Sequence, residues 1–259
     1  MPGLPSWHGA RLETWWRFRL AGSSPAPGAI YIKGMREMID RIPKYEKLLL
    51  YFLHTNTLQP RQKAIKISYY ISAITEILNL ELMPLRRIGS HPLEIQKKLN
   101  LLKPIVNRFL TLLPLLLNVR EIDMIRLIDF LGVLYEASAS EQVKIFFEKV
   151  IEQSSDEIVL SEIADITYEI GLFDISHKAL LKLFRIGDKR VEILYNIALL
   201  EYLMGKNEIA LKRLEKIGKK RGIIGLNREK IAYLMGAIHL SRGDIEQAKK
   251  LFKIARGIK

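Results

Sequence analysis

Apolar residues recur at intervals of three and four residues from Met35 to the end of the chain, and this spacing constrains the fold more than any other feature. It places apolar side chains on one face of an α-helix, and no stretch alternates in the way a strand requires. Boundary residues separate the periodic stretches: Pro60 lies between the first two, Pro92 suits a first helical turn, and Ser154–Asp156 suits an N-cap. The pattern therefore predicts an all-α chain. Helices are predicted over residues 35–54, 60–81, 92–118, 121–137, 140–153, 157–171, 174–186, 189–204, 207–219, 227–242 and 245–257.

A longer period is superimposed on the carboxy-terminal half. Val143, Ser176, Ala210 and Ala248 occupy matching positions, with spacings of 33, 34 and 38 residues. Small residues at such positions let two helices approach closely, and one helical hairpin cannot bury its apolar face alone. The copies comprise Gly236, Gly243, Ala248, Phe252 and Ala255; Ala198, Gly205, Ala210, Leu214 and Ile217; Ala164, Gly171, Ser176, Leu180 and Leu183; and a weaker set, Leu131, Val143, Phe147 and Val150.

These positions, with a period near 34 residues, resemble the tetratricopeptide repeat family. The resemblance implies a right-handed superhelix of antiparallel helical hairpins, an α-solenoid, over residues 119–259. Residues 35–118 show no clear copies, and we expect a helical amino-terminal region of diverged helix pairs or a separate cap there.

Residues 1–34 differ from the rest of the chain. They contain all three tryptophans, Trp7, Trp15 and Trp16, and a loop-like run rich in Gly, Ser, Pro and Ala at 21–29. We expect a poorly structured or non-native extension outside the packed core. Residues 22–29 can be back-translated to a sequence that resembles part of a transfer RNA gene, which suggests a misplaced start, with translation beginning at Met35 or Met38. A disordered arm or a tag is the alternative, and the genomic DNA decides between them.

Members of the family line a concave groove with the first helix of each hairpin, so the resemblance implies an interaction scaffold that binds a peptide or helix, and not an enzyme. The alternative for Tyr135, Tyr168 and Tyr202 is packing between helices. Asp165 stands where a family carboxylate clamp needs Asn, and this argues against that mode of binding. By repeat position, the partner-binding residues are Asp165, Tyr168, Glu192, Tyr195, Asn196, Tyr202, Lys230 and Tyr233.

No motif in the sequence indicates a cofactor, a metal or a catalytic centre. The five histidines are not paired at helical spacing, and no glycine-rich phosphate loop or nucleophile motif is present. We therefore expect no cofactor and no metal.

Charge is distributed unevenly along the chain, whose formal net charge is +13. Residues 120–183 contain 6 basic and 13 acidic residues, whereas residues 205–259 contain 15 and 5. The basic end suggests an alternative function, nucleic-acid binding, although a charged outer helix also keeps a terminal repeat soluble. The asymmetry also permits head-to-tail homo-oligomers. The anionic-ligand patch comprises Lys212, Arg213, Lys216, Lys219, Lys220 and Arg221.

Composition adds weaker expectations. The absence of cysteine fits a cytoplasmic, reducing setting, and the Ile-, Lys- and Glu-rich composition resembles that of thermophile proteins. The longest apolar tract, residues 105–117, is shorter than the roughly 20 residues of a bilayer span, so no membrane association is expected.

Overall fold

The computed structural model describes residues 39–55, 57–83, 92–187, 190–218 and 228–257. Every regular element in these ranges is a helix, which confirms the all-α prediction. The predicted extension over residues 1–34 lies outside the described residues. The helices are α1 (Ile42–His54), α2 (Pro60–Leu82), α3 (Pro92–Leu117), α4 (Met124–Ser138), α5 (Glu141–Gln153), α6 (Glu157–Glu169), α7 (Phe173–Ile186), α8 (Val191–Leu203), α9 (Asn207–Gly218), α10 (Arg228–Ser241) and α11 (Ile245–Ala255).

Helix ends follow the capping residues read from the sequence. The Asp156 carboxylate accepts hydrogen bonds from the backbone N–H groups of Ile158 (2.7 Å) and Val159 (3.3 Å), which fixes the start of α6. Helix α1 begins at Ile42, and Pro43 occupies its first turn, where the missing N–H costs no hydrogen bond. The first residues of the helix predicted over 35–54 lie outside the described residues.

The chain divides into two compact units, residues 1–147 and 148–259, and the division falls within α5. In the first unit α1 pairs with α2, α2 packs on α4, and α4 packs on α3. The fully buried rings of Phe109 and Phe130 meet edge to face at 5.5 Å. This division differs from the boundary predicted between residues 118 and 119, because α4 packs on α2 and α3 and so belongs to the first unit.

Helix α3 has nearly the predicted bounds, but its apolar segment extends beyond the tract of residues 105–117. Residues 95–117 are long and apolar enough to cross a membrane by length and composition, since the helix continues through Pro104 and Pro114. Of the most apolar stretch of this helix, 33% is buried. Leu102, Val106 and Phe109 supply the buried side, so the same apolarity also serves as the packed face of a core helix. The expectation that the chain does not associate with a membrane stays a prediction.

In its described residues, the second unit contains three helical hairpins: α6 with α7, α8 with α9, and α10 with α11. Each hairpin turns at a glycine with positive φ, namely Gly171 (79°), Gly205 (75°) and Gly243 (80°). These are the turn glycines of the predicted copies, and only glycine adopts this conformation without steric cost.

The three turns also share one hydrogen-bond pattern. The residue after each glycine donates its N–H to the carbonyl five residues earlier, at 2.7 Å for Leu172, 2.7 Å for Lys206 and 2.9 Å for Asp244. This is the Schellman ending, which satisfies carbonyl groups left open at a helix end. The recurrence of the same turn confirms the repeat in the second unit.

Small residues lie where the helices of each hairpin approach most closely. Ala210 and Ala248 are buried, and Ser176, at the same position, donates its hydroxyl to the Ala164 carbonyl at 2.8 Å. In the last hairpin a Cβ on Gly236 would lie 2.8 Å from Cε1 of Phe252, so the aromatic ring occupies the space that a larger residue would need.

Candidate functional site

The first helix of each hairpin, α6, α8 and α10, contains the residues predicted to bind a partner. We call the set Asp165, Tyr168, Glu192, Tyr195, Tyr202, Lys230, Tyr233, Ala237 and Leu240 the first-helix face. Helix α8 packs on α10 directly, so two neighbouring first helices are in contact.

Tyr195 lies at the centre of the first-helix face. Burial, with a smaller contribution from the nearby hydroxyl groups of Tyr168 and Tyr233, raises its pKa to about 12. Because electrostatic influence of this kind requires proximity, the structure brings together one tyrosine from each of the three hairpins. Burial also raises the pKa of Tyr168. The phenols of Tyr168 and Tyr195 therefore stay neutral and act as hydrogen-bonding groups near pH 7.

Access to solvent differs along the first-helix face. Tyr195 is only 6% exposed and packs with Ala198, Leu214 and Leu234 in the core of the second unit. Asn196, also predicted as a binding residue, is 9% exposed. These two side chains are part of the packing, so they offer little surface to a partner.

Other predicted residues are partly buried. Tyr168 and Tyr202 pack against the core cluster around Tyr195, and the Tyr168 ring lies 5.8 Å from the ring of Phe173. Both side chains are therefore partly packed between helices, as the alternative interpretation of the sequence expected. The remaining partly buried members of the predicted set are Asp165, Glu192 and Lys230.

Helix α10 presents the accessible part of the first-helix face. Tyr233 is 44% exposed and Leu240 is 52% exposed, with the partly buried Ala237 between them. These residues follow one another at spacings of four and three, so they share one side of the helix. The Tyr233 ring rests 5.6 Å from the Phe252 ring, which supports it from α11.

A buried ion cluster lies directly beside Tyr202, on the preceding residue Glu201. The Glu201 side chain is 3% exposed and accepts hydrogen bonds from Arg213 Nε at 2.9 Å and Arg213 Nη2 at 2.6 Å. His177 Nε2 lies 3.3 Å from the same carboxylate. Burial alone would raise the pKa of Glu201, but the hydrogen bonds and charges of His177 and Arg213 outweigh burial and lower it. The cluster joins α7, α8 and α9.

The sequence pattern does not predict this cluster. The available signal was a single acidic residue, Glu201, inside the apolar run from Ile197 to Leu203. A carboxylate in such a run requires a cation from another helix, but nothing in the sequence identifies which cation supplies it.

The predicted anionic-ligand patch is only partly described. Lys212 and Lys216 are exposed on α9, one turn apart. Arg213 has its guanidinium bonded to Glu201, so its charge is already compensated. Lys219, Lys220 and Arg221 lie outside the described residues.

Comparison with known proteins finds matches among solved structures but none among family models or curated sequences. Among solved structures, MamA MSR-1 has a TM-score of 0.41 at 12% identity, over 64% of this chain and 95% of that chain. MamA AMB-1 has a TM-score of 0.39 at 14% identity, over 64% and 90%. BtubC (BKLC) from P. vanneervenii has a TM-score of 0.38 at 14% identity, over 85% and 90%.

Because each TM-score lies below 0.5, the assignment of fold rests on the hairpins themselves. The second unit is a tetratricopeptide-like helical array. Its turns at Gly171, Gly205 and Gly243 repeat at 34 and 38 residues with one hydrogen-bond pattern, and buried small residues lie between paired helices. This assignment concerns fold and specifies no partner.

Proposed function

We propose that the chain is an interaction scaffold, and not an enzyme, and that it binds a peptide or helix of another protein along the first-helix face. The observation that supports this proposal is the accessible side of α10, where Tyr233 and Leu240 are exposed on either side of the partly buried Ala237. A tyrosine with an accessible ring and hydroxyl is the kind of anchor that protein interfaces favour.

Charges along the same face favour one orientation of the bound segment. Asp165 on α6 and Glu192 on α8 are acidic, whereas Lys230 precedes Tyr233 on α10. A bound peptide would therefore place basic residues toward α6 and α8 and an acidic residue toward α10, with an apolar side chain against Tyr233 and Leu240.

Partner capture tests this proposal. Purified chain serves as bait in extract of the source cell, and bound proteins are quantified for the wild type and for the double variant Tyr233→Ser/Leu240→Ser. We expect at least a roughly tenfold loss of specific partners, because anchor residues carry most of the binding free energy. Tyr195 is unsuitable for this test, since truncating a buried aromatic costs about 3–5 kcal/mol of stability.

A matched control makes the same chemical change away from the first-helix face. Ile209 on α9 and Ile254 on α11 are 50% and 43% exposed, and Ile209→Ser/Ile254→Ser removes a similar apolar area. Both variants should retain the wild-type circular dichroism spectrum. Equal capture by the wild type and Tyr233→Ser/Leu240→Ser would reject the first-helix face as the binding surface.

Nucleic-acid binding by the basic carboxy-terminal end remains the second candidate. Exposure of Lys212 and Lys216, one turn apart on α9, favours it, because phosphates are bound by such rows of cations. Binding of an RNA or DNA probe should then fall steeply with salt and be abolished by Lys219→Glu/Lys220→Glu. Lack of any binding at low salt would exclude this function.

A further inference from the structure

The outer side of the α1–α2 hairpin, in the first unit, contains a chain of aromatic contacts. Phe52 and Tyr70 stack with their centroids 5.7 Å apart at 15°. Tyr51 meets Phe52 at 5.2 Å and 74°, and Tyr69 meets Tyr70 at 5.3 Å and 78°. The two end rings are open to solvent, with Tyr51 60% exposed and Tyr69 59% exposed. Neither exposed ring is stacked in parallel on its aromatic neighbour.

Basic side chains surround these rings. Lys66 places its Nζ 4.9 Å from the Phe52 centroid, a cation–π contact. Exposed Lys44 and Lys47 lie within one turn of each other on α1. Lys63 is not available to a ligand in the same way, because its Nζ binds the Leu53 carbonyl at 2.8 Å and the Thr55 carbonyl at 3.0 Å, closing the end of α1.

A cleft of about 290 Å³ adjoins the aromatic chain. Arg41 and Tyr45 border it from α1, Tyr69 and Glu76 from α2, and Arg126 from α4. Arg126 binds the Asp123 carboxylate at 3.1 Å but remains 47% exposed. Among the residues that line the cleft, Glu76 is acidic and Arg41 and Arg126 are basic. On α1, Glu46 is already paired with Arg108 at 2.9 Å, whereas Lys44 and Lys47 are exposed.

We propose that this side of the first unit, the Tyr51–Tyr69 face, binds single-stranded nucleic acid. The bases stack on the open rings of Tyr69 and Tyr51, and the phosphates lie against Arg41, Lys44 and Lys47. Exposed aromatic rings beside a positive groove are what single-strand recognition uses, since every base has a face that can stack.

The pairing of rings with cations distinguishes this ligand from two others. A duplex keeps its base faces stacked internally and would use only the cations. An acidic polypeptide would likewise pair with the cations and would gain little from two flat rings. The proposal is independent of the first-helix face and of Lys212 and Lys216, which lie in the other unit.

Fluorescence anisotropy with the full chain tests the proposal. The probes are fluorescein-labelled oligo(dT) and oligo(U) of about 15 nucleotides, matching the sites of known single-strand binders. We expect Tyr69→Ala to weaken binding about 5- to 100-fold, the loss of one stacked base, and Tyr69→Phe to bind as the wild type does. Because Tyr69 is exposed, the fold should survive, and circular dichroism checks this.

The salt dependence provides a second measurement. Neutralising two phosphate contacts with Lys44→Gln/Lys47→Gln should reduce the slope of log affinity against log salt by about 1.4. The matched control Lys97→Gln/Lys103→Gln removes the same charge from exposed positions on α3, outside this face, and should leave affinity unchanged. A stronger effect of the control pair would overturn the proposal.

Three competitors distinguish the ligand classes. Unlabelled single-stranded DNA should displace the probe, whereas duplex DNA of the same length and poly-glutamate should do so weakly. If poly-glutamate binds as tightly as oligo(dT) and with the same loss in Tyr69→Ala, the partner is an acidic protein and the proposal is wrong. It is also wrong if Tyr69→Ala and Tyr51→Ala both bind as the wild type does.

Discussion

At the scale of single residues, Glu201 is a buried charge on which α7, α8 and α9 converge. Removing a carboxylate from such a cluster leaves the Arg213 charge uncompensated. We predict that Glu201→Gln lowers the free energy of unfolding by about 2–3 kcal/mol, less than for a fully buried pair because Arg213 is 26% exposed. Urea denaturation followed by circular dichroism measures this change.

Glu208 offers a matched control in the same unit. Its carboxylate binds Arg242 at 2.7 Å but is 66% exposed, so Glu208→Gln should cost only about 0–1 kcal/mol. Equal losses of unfolding free energy in Glu201→Gln and Glu208→Gln would show that the buried Glu201 cluster stabilises the fold no more than an exposed ion pair does.

The lowered pKa of Glu201 also predicts a pH dependence. The group's ordinary pKa is 4.5 and its folded pKa lies below that, so near and below this value the unfolded chain binds more protons than the folded one. The contribution of Glu201 is therefore complete above its ordinary pKa and is lost as the pH falls through the folded pKa. The difference in unfolding free energy between the wild type and Glu201→Gln should shrink as the pH is lowered from about 6 to about 3. If this difference in unfolding free energy stays constant with pH, it does not arise from the lowered pKa of Glu201.

At the scale of elements, the hairpin turns depend on glycine. Gly205 has φ 75° and no atom within 4 Å of an added Cβ, so Gly205→Ala tests backbone strain without a clash. We predict a loss of about 1–2 kcal/mol, the cost of the left-handed conformation for an L-residue. Gly218 ends α9 without a positive φ and is equally open, so Gly218→Ala should be neutral or slightly stabilising. Thermal unfolding measures the melting temperatures of both variants, and we expect the lower value for Gly205→Ala. Equal melting temperatures would contradict the prediction.

The same elements show how much the sequence could predict. Helices and turns follow from local signals, such as the Asp156 cap and the repeated glycines, and the structure matches them within a few residues. The first-helix face was predicted by repeat position, but its accessibility was not. Burial of Tyr195 and the pairing of Glu201 with Arg213 depend on contacts between helices, and a period of 34 residues does not contain that information.

At the scale of the whole molecule, the two units offer different surfaces to different partners. The Tyr51–Tyr69 face combines rings with cations, whereas the accessible part of the first-helix face on α10 is mainly apolar. If both proposals hold, one chain would connect a protein partner to a nucleic acid. The salt dependence of the two binding reactions should differ, because only nucleic-acid binding at the Tyr51–Tyr69 face depends on the release of counterions.

Charge along the chain makes a last prediction about self-association. The net charge is −7 over residues 120–183 and +10 over residues 205–259, so the acidic segment of one molecule attracts the basic segment of another. We predict head-to-tail association in about 0.05 M salt that disappears in about 0.5 M salt, where the screening length is only a few ångströms. Sedimentation velocity at several protein concentrations measures it. Reversing the exposed cations Lys250 and Lys253 on α11 to glutamate should abolish it, whereas reversing Lys44 and Lys47 in the first unit should not. Association that is insensitive to salt, or a monomer at every concentration in low salt, would show that the asymmetry does not drive assembly.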